Sequence, residues 1–143
     1  MGIAFDGANI WVANWGSNNV SELRAIDGSL LGTFPAGANP YGVAFDGTSI
    51  WVSNETSNNV TKFRASDGTI LGTFPVGNGP HEMSFDGSNL WITNWVSGIV
   101  TKLRASDGTA LGSYNSGIKS HGIAFDGANI WVANFGSNTI SKF

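Results

Sequence analysis

Short apolar runs broken by turn-forming Asp, Gly, Ser and Asn follow one another along the chain, and the whole pattern returns every 40 residues. Phe-Asp-Gly occurs at Phe5, Phe45, Phe85 and Phe125, and a second Asp-Gly recurs at Asp27, Asp67 and Asp107. Within residues 41–80, Tyr41–Phe45 has the pattern of a strand closed by the turn Asp46-Gly47-Thr48-Ser49, whose Asp and Gly tolerate the positive φ of hairpins. Ile50–Asn54 is a second expected strand and Val60–Arg64 a third, with a Ser-Asn-Asn turn between them. After Ser66-Asp67-Gly68-Thr69 comes a fourth, Ile70–Pro75, whose proline is tolerated on a sheet edge because no ladder donor is lost there.

Four short strands joined as consecutive hairpins predict an antiparallel meander sheet, and a period of about 40–50 residues is that of propeller blades. The expected fold is therefore all-β: a β-propeller of 40-residue four-stranded antiparallel blades, about 3.75 blades per chain. Residues 1–143 form one domain with blades at 1–40, 41–80, 81–120 and 121–143, the last lacking its fourth strand. Small residues at Gly2, Ala4, Gly42 and Ala44 suit an innermost strand beside a central channel. Trp, Ile, Val and Phe on both faces of the second and third strands suit blades sandwiched between neighbours.

Composition narrows the function more than the fold. The chain is 41% hydrophobic and 12% charged, as globular proteins are, with 20 Gly, 6 Trp and 9 Phe. Net charge is −3, and Lys62, Lys102 and Lys142, like Arg24, Arg64 and Arg104, recur singly rather than in runs. No nucleic-acid or anionic membrane surface is expected. Cysteine is absent, which removes disulfides and thiolate metal sites and leaves the compartment open. Neither a signal peptide nor an apolar stretch near the roughly 20 residues needed to cross a bilayer is visible, so a soluble chain of unknown localisation is expected.

The stretch His121-Gly-Ile-Ala-Phe-Asp-Gly-Ala-Asn-Ile-Trp131 resembles a blade of the virginiamycin B lyase (streptogramin lyase) family. Those blades likewise begin Pro-(His/Tyr)-Gly-Ile and continue into a Trp-centred strand and an Asn-rich turn. The same signature is shared with NHL- and YVTN-type propellers. The resemblance implies a Mg²⁺ held by glutamates beside a His that catalyses ring-opening elimination of a cyclic depsipeptide, and His81 and His121 match the position of that His. The family's glutamate at the end of the second strand corresponds here to Asn14, Asn54, Asn94 and Asn134, neutral side chains that are poor magnesium ligands. Glu55 comes one residue later and is expected on the other face of the strand. No catalysis is expected, and no cofactor beyond the Mg²⁺ that the resemblance implies.

Variation among the repeats gathers at three places that share one end of the ring. These are the start of the first strand (Met1, Tyr41, His81, His121), the turn after the second (Trp15, Glu55, Trp95, Phe135) and the connection between blades. Aromatic rings beside polar groups suit stacking on a sugar or another small polar ligand, which makes Trp15, Tyr41, Glu55, His81, Glu82, Trp95, His121 and Phe135 the ligand-binding candidates. Equally, Trp15, Trp95 and Phe135 could simply cover the gap between blades. His81, Glu82 and His121 could meet near the channel as general-base or metal groups, with His81 and His121 as weak catalytic candidates. Asp6, Asp46, Asp86 and Asp126 each stand alone in a short turn, without the alternating ligands of a calcium loop.

Residues 2–14 are repeated unchanged at 122–134, a sign of recent amplification or deliberate copying. With no strand exchange to lock its ends, the chain is expected to expose apolar blade faces and to self-associate. A four-bladed monomer and a homodimer completing an eight-bladed ring are both geometrically simple, and the homodimer is the favoured expectation.

Overall fold

The computed structural model describes residues 1–143, which form fifteen strands in four antiparallel sheets. The first sheet contains β1 (Ile3–Phe5), β2 (Asn9–Asn14), β3 (Asn19–Arg24) and β4 (Leu30–Pro35). The second contains β5 (Pro40–Phe45), β6 (Ser49–Asn54), β7 (Asn59–Arg64) and β8 (Ile70–Pro75), and the third β9 (Pro80–Phe85), β10 (Asn89–Asn94), β11 (Ile99–Arg104) and β12 (Ala110–Asn115). The fourth has only β13 (Ser120–Phe125), β14 (Ile130–Asn134) and β15 (Thr139–Lys142). Every sheet keeps its strands in sequence order, and the strand bounds expected in the second blade lie within one residue of those observed. No helix is long and apolar enough to cross a membrane.

The turns follow from local chemistry. Gly47, at φ +96°, takes the left-handed position after Asp46, while Asp46 Oδ1 accepts the backbone N–H groups of Thr48 and Ser49. Between the second and third strands the left-handed residue is Asn18, Asn58 and Asn138 in three blades and Gly98 in the other. Asparagine enters that region more readily than other side chains, which accounts for the Asn-rich turn.

Position within the blade decides burial. β6 is buried along its whole length because both of its faces meet another sheet, whereas the outer strand β8 alternates between exposed and half-buried. Pro75 lies at the end of this outer strand, opposite Asn59. The innermost strands β5 and β9 are not regular, since Pro40 pairs with Asn54 but Val43 with Val52, and Pro80 with Asn94 but Met83 with Ile92. Two residues thus face one across the ladder, a bulge that places Tyr41 and His81 at an irregularity.

Three hydrophobic clusters mark the three seams between blades. Trp11, Ala13 and Val20 of the first blade pack on Ile50, Val52 and Phe63 of the second. Trp51 and Val60 pack on Leu90, Ile92 and Leu103 of the third, and Trp91 and Val100 on Ile130 and Val132 of the fourth. An aromatic ring from each outer strand also reaches forward. Phe34 lies so close over Gly68 that a Cβ there would stand 2.0 Å from the ring, and Phe74 covers Gly108 in the same way. No corresponding cluster joins the fourth blade to the first: Ile3 is 64% exposed, Phe5 56%, Trp131 40% and Ile140 72%. The chain is a β-propeller arc of 3.75 blades with two open faces.

Candidate functional site at the channel mouth

The two ends of the arc are built from different parts. At one end lie the Asp-Gly turns, bonded to one another by Ala65 N–H to Thr48 O and Ala105 N–H to Ser88 O. Each Asp there has a second role beyond its turn. Asp46 Oδ2 accepts the indole N–H of Trp51 at 2.7 Å, and Asp6 with Trp11, Asp86 with Trp91 and Asp126 with Trp131 repeat the bond at 2.6–2.7 Å. A buried Trp needs an acceptor for its N–H, and the aspartate supplies it. Partial burial pushes the Asp46 carboxyl up, but the Trp51 and backbone bonds outweigh it and hold the group below the usual carboxylate range. Asp-x₄-Trp was the sequence signal for this clamp.

At the other end the turn after the second strand is bonded to the connection between blades: Glu55 N–H donates to Asn39 O and Trp95 N–H to Gly79 O. This is the end where the repeats differ. The bulged innermost strands and the turns after β10 and β14 together bring four rings into a column. Tyr41 stacks on His81 with centroids 4.1 Å apart and planes 7° from parallel, His81 on Trp95 at 5.2 Å, and Trp95 on Phe135 at 5.8 Å. His121 stands edge-on to Tyr41, His81 and Trp95, and its Nε2 lies 3.1 Å from the Tyr41 hydroxyl. Lys119, which lies in the variable connection between blades but was not among the ligand-binding candidates, holds its ammonium 5.3 Å over the Trp95 ring.

Glu55 joins two blades to a third. Its Oε2 accepts the Trp15 indole N–H at 2.8 Å, and its Oε1 lies 3.5 Å from His81 Nε2. Burial pushes the His81 imidazole below its ordinary pKa despite this carboxylate, and neither ring nitrogen has a hydrogen-bond partner. Tyr41 is pushed up by burial and by the charges of Glu82 and Glu55. The Glu82 N–H is bonded to Thr93 Oγ1, a hydroxyl that also donates to the backbone of His121 in the next blade. Ser53 makes the equivalent tie to His81 O.

All eight ligand-binding candidates therefore lie at this mouth, and Tyr41, His81, Trp95, His121 and Phe135 share one ring assembly. Two hollows adjoin it. One of about 440 Å³ is lined by Met1, Trp15, Tyr41, Glu55 and His81, and one of about 500 Å³ by residues that include Trp95, His121, Asn134, Phe135 and Ile140. The His81–Glu82–His121 group does not assemble as a metal site: no set of three His, Asp or Glu side chains is close enough to hold an ion. The residues at the mouth do not fit Mg²⁺. Asn54, at the family's glutamate position, spends its amide on Asn59 Oδ1 and Thr61 Oγ1 and its carbonyl on Gly37 N–H. Glu55 points away from it, toward Trp15 and His81.

No family model matches the chain, and neither does any curated protein sequence. Solved structures do match. Hydrazine synthase of Kuenenia stuttgartiensis superposes over 99% of this chain and 47% of its own, at 16% identity and a TM-score of 0.80. The computationally designed Ika4 protein matches over 99% and 88% of the two chains, at 10% identity and a TM-score of 0.87. The computationally designed Ika8 protein matches over 99% and 44%, at 10% identity and 0.86. The chain thus spans about half the length of the hydrazine synthase chain. Likenesses at such identities carry the fold, a β-propeller arc of repeated blades, and nothing of the neighbours' activities.

Proposed function

We propose that this chain is a repeat scaffold whose main property is self-association, a second copy covering its two open blade faces to complete an eight-bladed ring. One observation carries the reading: positions that are buried at every internal seam stay apolar where no seam exists. Val20, Val60 and Val100 are 0% exposed, and their counterpart Ile140 is 72% exposed. On the opposite face Ile10, Val12 and Leu23 occupy the positions of Ile50, Val52 and Phe63, which the first seam buries. Full burial of one such side chain is worth about 1.5–3 kcal/mol, so a set of them on each face favours a covering blade.

Light scattering on the eluting protein tests the reading. A mass of two chains is expected, falling to one chain in Ile140→Glu. A single-chain mass in the unaltered protein at every concentration would overturn it.

A second reading is supported by the hollow among Met1, Trp15, Tyr41, Glu55 and His81, where half-exposed rings border a carboxylate. Such a lining suits a glycan or another small polar ligand. Glycan-array screening is expected to give hits that disappear in Glu55→Ala; an array without hits would remove this reading.

A further inference from the structure

We infer that the second copy docks in the same register as the internal seams, its Trp15 seated against Phe135 at the mouth and its Ala25 and Ile26 carbonyls taken by Lys142 at the opposite end. The inference rests on the two-chain ring proposed above and specifies how that ring is joined.

The mouth end has a template in the third seam. There Trp95 of one blade stacks on Phe135 of the next, 5.8 Å apart and 27° from parallel. Phe135 has no such neighbour on its far side and is 70% exposed. Beyond it lies the hollow of about 500 Å³ bordered by Trp95, His121, Asn134, Phe135 and Ile140. In a ring made from two copies, the blade following the fourth is the first blade of the other copy. The residue it presents at this position of the repeat is the partner's Trp15.

The opposite end has its template in the second seam. Lys62 passes its ammonium 4.9 Å over Trp51 and donates to Ala105 O at 2.6 Å and Ser106 O at 3.3 Å, in the last turn of the following blade. Lys142 makes the first half of this latch, with Nζ 5.2 Å over Trp131, on a face where no blade follows. One blade further on, the carbonyls equivalent to Ala105 and Ser106 are the partner's Ala25 and the partner's Ile26. Ile26 is 88% exposed in the chain, in the turn between β3 and β4. The first seam shows what happens without the lysine. Glu22 stands at that position, cannot donate to a carbonyl, and accepts Asn9 Nδ2–H within its own blade at 2.7 Å.

The open fourth face therefore asks for an occupant with a ring at one end, two free carbonyls at the other and apolar side chains between. The first blade of this same chain presents all three, with Ile10, Val12 and Leu23 in the middle, and an unrelated protein surface has no reason to.

Sedimentation equilibrium on the full chain tests the register. In the unaltered protein a two-chain species is expected, and Trp15→Ala and Lys142→Met should each raise its dissociation constant about tenfold. Lys142 lies on an exposed terminal strand, so Lys142→Met leaves the isolated arc folded, which circular dichroism checks. Gly122→Phe should abolish association without unfolding the chain, because the nearest atom to a Cβ there is Ala133 Cβ at 3.9 Å. If the protein is two-chained and Ile140→Glu dissociates it while Lys142→Met and Trp15→Ala leave the constant unchanged, the register is wrong and the scaffold reading stands. If the unaltered protein is single-chained throughout, both fall.

Discussion

The two ends of the channel hold the same blades together by opposite means. At the Asp-Gly end each blade repeats one clamp, an aspartate that closes a turn and accepts the indole N–H of the tryptophan five residues on. At the mouth the backbone ties repeat but the rings do not: Tyr41, His81, Trp95 and Phe135 come from three blades and pack as one column, with His121 across their edges. The clamp is needed by each blade separately, so every copy keeps it. The column is a property of the set, and its members can differ provided their rings fit one another. Diversity at the mouth is thus compatible with tight packing, and an aromatic cluster there is not in itself an open binding site.

This contrast can be broken from either side, most strongly through the clamp. Trp51→Ala removes a fully buried ring and the clamp together, and a loss of about 3–5 kcal/mol is expected in urea or guanidinium unfolding. Asp46→Ala keeps the ring but leaves the Trp51, Thr48 and Ser49 N–H groups without their acceptor, for an expected loss of about 1.5–3 kcal/mol. In the single-chain Ile140→Glu background, where Trp131 stays open to solvent, the same change at Asp126 should cost distinctly less in the same titration.

The two ends should also separate along the pH axis. His81 has its pKa lowered by burial, so the unfolded chain binds a proton before the folded one does. Its neutral form carries no penalty above its ordinary value of 6.5, and stability declines as pH falls below that value toward the lower folded pKa. The aspartates also have lowered pKa values, but on the carboxylate scale. Their contribution is complete above the usual carboxylate range and is lost as pH falls through the folded values. Melting temperature against pH should therefore show a first decline that His81→Gln removes and a more acidic one that Asp46→Ala reduces. A profile unchanged by His81→Gln between pH 6.5 and 5 would show that the column does not sense protonation. The smallest effect belongs to the exposed Arg64–Asp67 pair, 3.0 Å apart, where Arg64→Ala should change unfolding free energy by less than about 0.5 kcal/mol.

The difference between the ends also governs how much the sequence revealed. The 40-residue period, the four strands and the left-handed Gly and Asn turns are local, and local chemistry made them readable, as in Ile70–Pro75, whose bounds agree with the observed strand. The aspartate's second bond was recorded in the same letters as Asp-x₄-Trp, yet it needs the indole of the next strand to fold back over the turn. The mouth was harder. Its candidates were visible as the positions that vary, but the bulge at His81 and Glu82 cannot be seen in a strand pattern, and it is this irregularity that places the His81 ring between Tyr41 and Trp95. Asn54 was already legible as a poor magnesium ligand, but its actual task, an amide closing the turn onto Asn59 and Thr61, was not.

The unlike faces at the two ends of the arc have a kinetic consequence. If two copies join as proposed above, one face meeting the other, each contact leaves a second pair of matching faces on the same two molecules, held at a high effective concentration. In a ring of matching curvature the second contact forms far more readily than a third chain can arrive, so half-joined pairs should be short-lived and mixtures should hold single chains and rings with little between. Any change that altered the curvature without weakening the faces would move the second pair out of reach, and the same two surfaces would then extend from chain to chain as an open fibre.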